Sequence, residues 1–457
     1  MRISPDNQAW LKFAASLGQW AALVGLWLWV WLNYYAEGIF RSRGNILVVA
    51  VYGFLLFFFT RFYGGYQIWP GRKWTTAFSC LLALVLTNFV TYLQSSLIGR
   101  SLADPVPLFF MTGLQTLLIA AWSWGAGYVF QCLVPPRRLM LIHGDEEAAA
   151  ALTKKMLAHR KLYVIEESLS AEAGLEEILS RLGKYRAVIM CELPAKIRNG
   201  VLNYCFDRSI RVYVVPMVSD ILMRGAADLH LFDTPLLMSA NQGLNFMQRL
   251  VKRGLDLVLA SLGLVLTSPL MLLTAAAIKL YDGGPVFFYQ ERCTVNNRVF
   301  NIRKFRSMVL DAEKDGRPRP ATDGDRRITP VGRVIRRLRI DELPQLFNIL
   351  KGDMSLVGPR PERLENIREY TAKHPEFSYR TKVKAGLTGY AQIRGRYNTS
   401  AYDKLKMDLV YIVNYSLMED LRLLLLTAKV LFLKESTAGF KRKPAKSAAG
   451  GKAAGNE

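Results

Sequence analysis

The residues best suited to chemistry are two adjacent carboxylates, Asp341 and Glu342, which follow a run of arginines that includes Arg336. A rigid Pro359-Arg360-Pro361 segment comes shortly after them. Arginine can grip phosphate oxygens with two parallel hydrogen bonds. A carboxylate held among cations stays ionised and can attack phosphorus, while a second carboxylate can hold Mg²⁺. This pattern predicts a site for phosphate chemistry on a diphosphate.

A simpler interpretation of Asp341 and Glu342 is a helix cap or a solvated surface pair, which is what most isolated Asp-Glu pairs are. Asp341 stands where a cap could be, because Pro344 suits an early helical position. The surroundings favour a site instead, since Lys304 and Arg306 end a predicted strand and add further cations. The chain has no G-x-x-x-x-G-K-[ST] loop, so an ATP-type transferase is not indicated.

The composition predicts that the protein binds an anionic partner at a membrane. The 457 residues carry a net charge of +23 and are 51% hydrophobic. Because the basic residues share the chain with long apolar runs, a lipid surface and an anionic substrate are favoured over nucleic acid. The five cysteines show neither metal-ligand spacing nor a disulfide framework.

Four apolar runs, at about 13–35, 46–60, 76–98 and 107–132, reach or approach the length that crosses a bilayer, and none has an interior charge. Buried core helices are the alternative. Basic residues flank the runs mainly on one side, which places both ends of a four-helix transmembrane unit (1–135) in the cytosol.

After Pro135-Pro136, strand-like and helix-like segments alternate, which predicts a small Rossmann-like parallel-sheet domain over 136–240. Its first strand-to-helix turn, His143 to Glu147, has one glycine and three acids. A loop that grips a dinucleotide needs glycines for close backbone approach. We therefore expect a non-catalytic scaffold or dimerisation domain, with a homodimer as one outcome.

The run Leu255–Leu280 is long enough for a fifth spanning helix, but Ser268-Pro269 interrupts it and basic residues flank both ends. Proline removes a helix hydrogen bond and favours a bend. The alternative is a re-entrant helix (252–281) that turns at Ser268-Pro269, where the Ser268 hydroxyl is a candidate partner for exposed backbone groups. The residues alone leave both open.

The remaining segments predict a mostly helical catalytic domain over 245–435. A polar connection covers Asn241 to Arg253, and a β-hairpin forms around Val295-Asn296-Asn297. Thr329-Pro330 opens a basic amphipathic helix suited to the headgroup plane, although an ordinary helix on a soluble core has the same pattern. Residues 436–457 are predicted to be a disordered tail.

The C-terminal half, from about Lys252 to Phe432, resembles the monotopic phosphoglycosyl transferases, which are bacterial sugar transferases acting on polyprenyl phosphate. The resemblance is carried by several motifs in order: Ser268-Pro269, Gly284-Pro285-Val286-Phe287, Lys304 to Met308, Asp341 to Leu346, Lys351 to Pro361, and Ala385 to Gly389. The N-terminal half is similar to long-form members, which have membrane helices and an α/β domain.

The resemblance implies a reaction and a place for it. Asp341 would attack the β-phosphate of a UDP-sugar and expel UMP, and the phosphosugar would pass to polyprenyl (undecaprenyl) phosphate. This is the first membrane step of exopolysaccharide, capsule or O-antigen synthesis, on the cytosolic face of the bacterial inner membrane. Glu342 matches the metal-binding residue, with Mg²⁺ implied, and Arg360 with Pro359 and Pro361 matches the phosphate-binding motif. Arg336 aligns with a basic residue ahead of the dyad, and Ser268-Pro269 with the break of a re-entrant helix.

Two departures and two rival functions remain. The family usually has glycines where this chain has Thr294 and Asn297 in the hairpin turn, so the turn and sugar recognition there could differ. Gly395 to Thr399 is a candidate contributor to sugar choice. One rival function is a membrane scaffold or regulator of glycan assembly with vestigial motifs. The other is a nucleotide-binding redox protein using 138–240.

Overall fold

The computed structural model describes residues 8–36, 42–66, 73–157, 159–231, 233–239, 243–312, 325–395 and 399–431. The chain divides between Asp220 and Ile221 into a first and a second compact unit. The domain bounds given above stay predictions. The predicted tail and Arg396-Tyr397-Asn398 lie outside the described residues.

The first unit begins with four long apolar helices, each covering all or most of one of the four apolar runs of the sequence, and a π-helical turn, Trp31–Tyr35, completes the first run. The four helices are α1 Gln8–Val30, α2 Ser42–Tyr63, α3 Lys73–Ile98 and α4 Pro105–Leu133. With a later helix, Phe246–Asp282, five described helices are long and apolar enough to cross a membrane. This is what a membrane protein requires.

A polar network lies at the centre of α1 to α4. The Gln115 amide donates to the Leu23 carbonyl (3.0 Å) and to the Tyr52 hydroxyl (2.9 Å). The Tyr52 hydroxyl in turn donates to Asn88 (3.0 Å). Trp27 stacks on Tyr52, with ring centroids 5.1 Å apart. Hydrogen bonds of this kind hold apolar helices together where no water competes.

A four-stranded parallel sheet follows, as predicted, in the order β2-β1-β3-β4. Apolar clusters cover both of its faces, and the turn residue Asp145 caps the first helix of the domain by accepting from the Ala148 amide. The helix α7 was not predicted. The elements are β1 Arg137–His143, α5 Glu146–Leu157, β2 Tyr163–Ser170, α6 Leu175–Leu182, β3 Ala187–Cys191, α7 Ala195–Asp207, β4 Arg211–Val215 and α8 Val218–Arg224, whose residues fall on both sides of the boundary between the two units.

The second unit is mostly helical and contains the predicted β-hairpin, β7–β8. The predicted polar connection to Arg253 is wrong in its second half, because Asn245 and Gln248 form a capping box that starts α9 at Phe246. Its elements are β5 Ala227–Leu231, β6 Thr234–Met238, α9 Phe246–Asp282, β7 Phe287–Cys293, β8 Val299–Phe305, α10 Pro330–Arg337, α11 Gln345–Lys351, β9 Ser355–Val357, α12 Leu364–Lys373, β10 Gly386–Thr388, α13 Tyr390–Arg394, α14 Ala401–Val413 and α15 Leu417–Leu431.

Helix α9 continues through Pro269. The proline has no amide hydrogen to donate to the carbonyl of Val265, four residues earlier. The Ser268 hydroxyl donates to that carbonyl instead, at 2.8 Å, which is the role predicted for it. The re-entrant turn is not confirmed, since the helix is continuous.

One side of α9 packs on the rest of the second unit along both halves of the helix. Lys252 forms a buried ion pair with Asp420 (2.5 Å), and Asp256 accepts from the Ser355 hydroxyl (3.1 Å). Beyond Pro269, the apolar residues Met271 and Ile278 pack in a cluster with Phe305 and Ile335, and Asp282 binds Arg306. The other side exposes a row of apolar residues: Val258, Leu262, Val265, Leu266, Leu272 and Leu273.

Candidate active site

The carboxylate pair lies in a single turn, Ile340–Glu342, between α10 and α11. Helix α10 starts as predicted, because the Thr329 hydroxyl accepts from the Gly332 amide at 2.8 Å. After its end, Arg339 adopts a left-handed conformation (φ 55°), which residues other than glycine rarely take. This reversal delivers Asp341 and Glu342 to the hairpin β7–β8.

The capping interpretation of Asp341 finds no support in these contacts. The residue before α11 is Pro344, and that helix start has no side-chain cap hydrogen bond. The two carboxylates instead face cations from other elements.

Three cations hold Glu342. The Lys304 ammonium lies 3.3 Å and the Arg360 guanidinium 3.2 Å from its Oε1 atom, while Arg339 lies 3.5 Å from Oε2. The Glu342 side chain is 14% exposed. By itself, burial would raise the pKa of Glu342, but Lys304, Arg360 and Arg339 outweigh burial and hold the pKa well below its ordinary value.

Asp341 differs from Glu342 both in its contacts and in the direction of its pKa shift. Among the described residues, its carboxylate makes no hydrogen bond or ion pair. Burial, together with the charge of Glu342, raises the pKa of Asp341 to about 6, against the opposing charges of Lys304, Arg336 and Arg360. Two adjacent carboxylates whose pKa values are driven apart are typical of a pair with separate roles.

The site has a surplus of positive charge. Lys304, Arg339 and Arg360 contact Glu342, and Arg336 acts electrostatically on Asp341. Four cations therefore face two carboxylates, which leaves charge to balance the phosphates of a diphosphate. The carboxylate of Asp341 lies close enough to Lys304, Arg336 and Arg360 to feel their charges.

The other predicted site residues lie in two places. Pro359 and Pro361 are buried on either side of Arg360. Arg306 binds Asp282 at the end of α9 and donates to the Pro285 carbonyl at 2.7 Å. These contacts give Arg306 a structural partner, and its role in binding phosphate stays a prediction.

A divalent cation fits this donor set when it is shared with substrate. Among the described residues no cluster of three His, Cys, Asp or Glu side chains could hold a metal ion. Mg²⁺, however, is often bound by one or two carboxylates with substrate phosphates and water. In the structure the side chains of Lys304, Arg339 and Arg360 contact the oxygens of Glu342. A metal ion would therefore bind Glu342 when substrate phosphates become the partners of those side chains.

The hairpin turn forms without the glycines that are usual in the family, while its part in sugar recognition stays a prediction. The left-handed conformations fall on Asn296 (φ 55°) and Asn297 (φ 58°), which asparagine tolerates. Thr294 is extended and buried, and its hydroxyl donates to the Asp353 carbonyl at 2.8 Å. The turn is therefore built without strain at threonine.

Two arginines that contact the 359–361 segment were not found by sequence analysis, Arg292 on β7 and Arg380 after α12. Nothing in their spacing marks them, because each reaches the segment only through the fold. The one available signal is that Arg292 and Lys304 share a face of the hairpin by strand alternation.

Residues 247–434 match the model of the family described as "Bacterial sugar transferase". The chain is 47% identical over 184 residues to a UDP-N-acetylgalactosamine-undecaprenyl-phosphate N-acetylgalactosaminephosphotransferase of Aeromonas hydrophila (40% of this chain, 43% of the relative). It is 35% identical over 318 residues to an undecaprenyl-phosphate glucose phosphotransferase of Komagataeibacter xylinus (64% and 58%).

A third relative is the uncharacterized sugar transferase EpsL of Bacillus subtilis, 42% identical over 186 residues, which are 41% of this chain and 89% of that protein. The chain spans about half the length of the first two relatives.

Proposed function

Because the chain belongs to the bacterial sugar transferase family, we propose that it transfers a sugar 1-phosphate from a UDP-sugar to polyprenyl phosphate and releases UMP. The names of the Aeromonas and Komagataeibacter relatives support undecaprenyl phosphate as the acceptor. Those names differ in the sugar, so they support the reaction class rather than one substrate. The reaction would be the first membrane step of exopolysaccharide, capsule or O-antigen synthesis.

The observation that carries this proposal is the unequal state of the two carboxylates. Glu342 has both oxygens engaged by cations, whereas Asp341 has a free carboxylate with a raised pKa. A more basic and unpaired carboxylate is the better nucleophile. Asp341 is therefore the attacking group, and Glu342 organises the cations.

The transfer proceeds in two displacements at the same phosphorus. An Asp341 oxygen bonds to the β-phosphorus, and the bond to the oxygen bridging the two phosphates breaks, with its electron pair leaving on UMP. A phosphate oxygen of the polyprenyl phosphate then attacks the phosphosugar-aspartate, and the bond to Asp341 breaks to restore the carboxylate. Neither step needs a net proton or an oxidant.

The cations stabilise the charge of the transferring group. Lys304 and Arg360 leave Glu342 for the phosphate oxygens when the diphosphate enters, and Arg336 lies beside the attacking carboxylate. Glu342 would then hold Mg²⁺, whose bound form supplies further neutralisation of phosphate charge.

Helix α9 would hold this site at the cytosolic face of the inner membrane as a re-entrant segment. Its two ends both carry charged contacts with the same folded unit, Lys252 with Asp420 and Asp282 with Arg306. A straight crossing would put these ends on opposite sides of the bilayer, since 37 helical residues extend about 55 Å. Helices α1 to α4 would form the transmembrane unit, with both ends cytosolic.

Release of UMP from a panel of UDP-sugars with undecaprenyl phosphate tests the activity. We expect one or a few sugars to be used, and a covalent phosphosugar adduct on the wild-type protein when acceptor is omitted. Asp341→Asn should form no adduct and release no UMP. Wild-type protein that releases no UMP with any sugar would refute the proposal in favour of a scaffold with vestigial motifs.

Cysteine labelling at the two ends of α9 tests the topology. Both labels should react from the cytosolic side. Reaction from opposite sides would show that α9 spans the bilayer, and would leave the proposed chemistry untouched.

A further inference from the structure

The segment that carries Arg360 is held by its carbonyl oxygens. Prolines on both sides of Arg360 lack amide hydrogens, so the segment has few donors of its own for anchoring. Each of four consecutive carbonyls accepts from another part of the second unit: Pro359 from the Gly386 amide (2.9 Å), Arg360 from the Arg380 guanidinium (3.0 Å), Pro361 from the Arg292 guanidinium (3.0 Å), and Glu362 from the Cys293 amide (3.4 Å).

Arg380 has a fixed orientation. It is 6% exposed, and its Nε atom donates to Asp408 at 2.6 Å, while its Nη2 atom donates to the Arg360 carbonyl. The planar guanidinium makes the two contacts from separate nitrogens in a fixed geometry, whereas a lysine would present one ammonium with rotatable donors. The buried ion pair therefore aims the remaining donor at the Arg360 backbone.

Arg292 reaches the next carbonyl from the hairpin. Its Nη2 atom donates to Gln290 (2.6 Å) and its Nη1 atom to the Pro361 carbonyl, while its buried Nε atom has no hydrogen-bond partner in the described part of the chain. Burial and the charge of Arg360 lower the pKa of Arg292 to about 10, although Glu362 and Glu365 oppose this. Arg292 is thus kept beside another cation, with no direct acid partner among the described residues, which is a costly placement for packing alone.

The hairpin β7–β8 links the position of Lys304 to the position of the segment that carries Arg360. Arg292 and Lys304 project from the same face of β7–β8, since Arg292 pairs with Phe300 and Phe288 pairs with Lys304. One end of that face contacts Glu342 through Lys304, and the other holds the Pro361 carbonyl. The distance between Lys304 and the Arg360 segment is therefore set by one rigid element.

We propose that Arg292 and Arg380 are positioning residues for Arg360: they clamp its backbone by two successive carbonyls, so that its 43%-exposed side chain is presented to the substrate diphosphate beside Asp341. This inference rests on the proposed function for the identity of the substrate. The clamp itself is a property of the fold.

A double-mutant cycle separates positioning from simple stability. Arg380→Lys keeps a cation for Asp408 and removes the aimed donor, and Arg292→Met removes the other. Each should lower kcat/KM for UMP release by ~10- to 100-fold, the cost of misplacing a catalytic contact by about 1 Å. In an Arg360→Ala background, where no cation is presented, each should lower kcat/KM much less. Equal losses in both backgrounds would overturn the proposal.

Arg253 offers a matched control. It also donates to two successive carbonyls, those of Ile349 (2.6 Å) and Leu350 (2.7 Å), but at the end of α11. Any loss caused by Arg253→Met should be the same with and without Arg360. If the loss caused by Arg253→Met depended on Arg360 in the same way as the losses caused by the other two variants, the effect would be a general one of removing a carbonyl-binding arginine. That result would also overturn the proposal.

Hydrogen exchange tests the clamp without turnover. The Gly386 amide donates to the Pro359 carbonyl, so peptides containing Gly386 should exchange faster in Arg380→Lys and Arg292→Met than in wild type. Unchanged exchange in both variants would overturn the proposal. If wild-type protein releases no UMP, the proposed function fails, and this measurement alone decides whether the two arginines hold the segment.

Discussion

Neutralising the two neighbouring carboxylates should change stability in opposite directions. Asp341→Asn and Glu342→Gln each replace a carboxylate by an amide of nearly the same shape. Asp341 is half-buried and has no hydrogen-bond or ion-pair partner among the described residues, whereas Glu342 is surrounded by Lys304, Arg339 and Arg360. We expect the first variant to be more stable than wild type and the second to be less stable.

The magnitude for Asp341 follows from its pKa. A rise from 3.8 to about 6 means that the folded state disfavours the charged form by about 3 kcal/mol. Because the side chain keeps some contact with solvent and its titration is linked to Glu342, we expect about 1–3 kcal/mol of added stability in Asp341→Asn. Glu342→Gln leaves three cations without their anion and should cost about 1–3 kcal/mol, below the usual cost for a fully buried pair since Arg360 is 43% exposed.

The pH dependence gives a second signature. A carboxyl group whose pKa is raised by folding contributes most to the stability of the folded state below its unfolded-state pKa. This contribution is lost as the pH rises from 3.8 to about 6. The gain in Asp341→Asn should therefore be full at pH 7.5 and about half as large at pH 5. Glu342 has a lowered pKa, so its contribution is present above about 4.5 and should be similar at both pH values.

Thermal unfolding of the purified proteins in one detergent, with EDTA and without substrate, measures both effects. A higher midpoint for Asp341→Asn at pH 7.5, with a smaller difference at pH 5, is the expected result. If Asp341→Asn is destabilised at pH 7.5 by as much as Glu342→Gln, then Asp341 is a paired structural carboxylate and its assignment as the free nucleophile is wrong.

Three further predictions concern the surroundings of the site. Lys252→Met should destabilise the second unit by about 3–5 kcal/mol, because it leaves the buried Asp420 carboxylate without its cation, although the Tyr411 hydroxyl still donates to it. Adding Asp420→Asn should restore most of the thermal midpoint; no recovery would show that the ion pair is not the cause. Arg339→Gly should keep stability within about 1 kcal/mol of wild type, since relief of the left-handed conformation offsets a partly exposed ion pair, whereas Arg339→Val should lose more than 1 kcal/mol; equal stabilities would contradict this. EDTA should stop UMP release and added Mg²⁺ should restore it, and Glu342→Gln should need more Mg²⁺; unchanged release in EDTA would exclude the metal role.

Much of the local structure could be predicted from the linear sequence, although α7 and the capping box that starts α9 were missed. The apolar runs predicted α1 to α4, alternation predicted the parallel sheet and the hairpin β7–β8, and Thr329-Pro330 predicted the start of α10. These features follow from side-chain periodicity and capping within a few residues, so no distant contact was needed to recognise them. The motif set also sufficed to place the chain in its family.

The difference in contacts and pKa between the two carboxylates depends on the tertiary structure. Asp341 and Glu342 are adjacent and chemically similar, and only contacts from β8 and from the Arg360 segment bind one and leave the other free. Arg292 and Arg380 lay outside the predicted site for the same reason, since their roles come from donors aimed across the fold. Periodicity determines which face of an element is buried, but the pKa of a carboxylate depends on charges that only folding brings within a few ångströms.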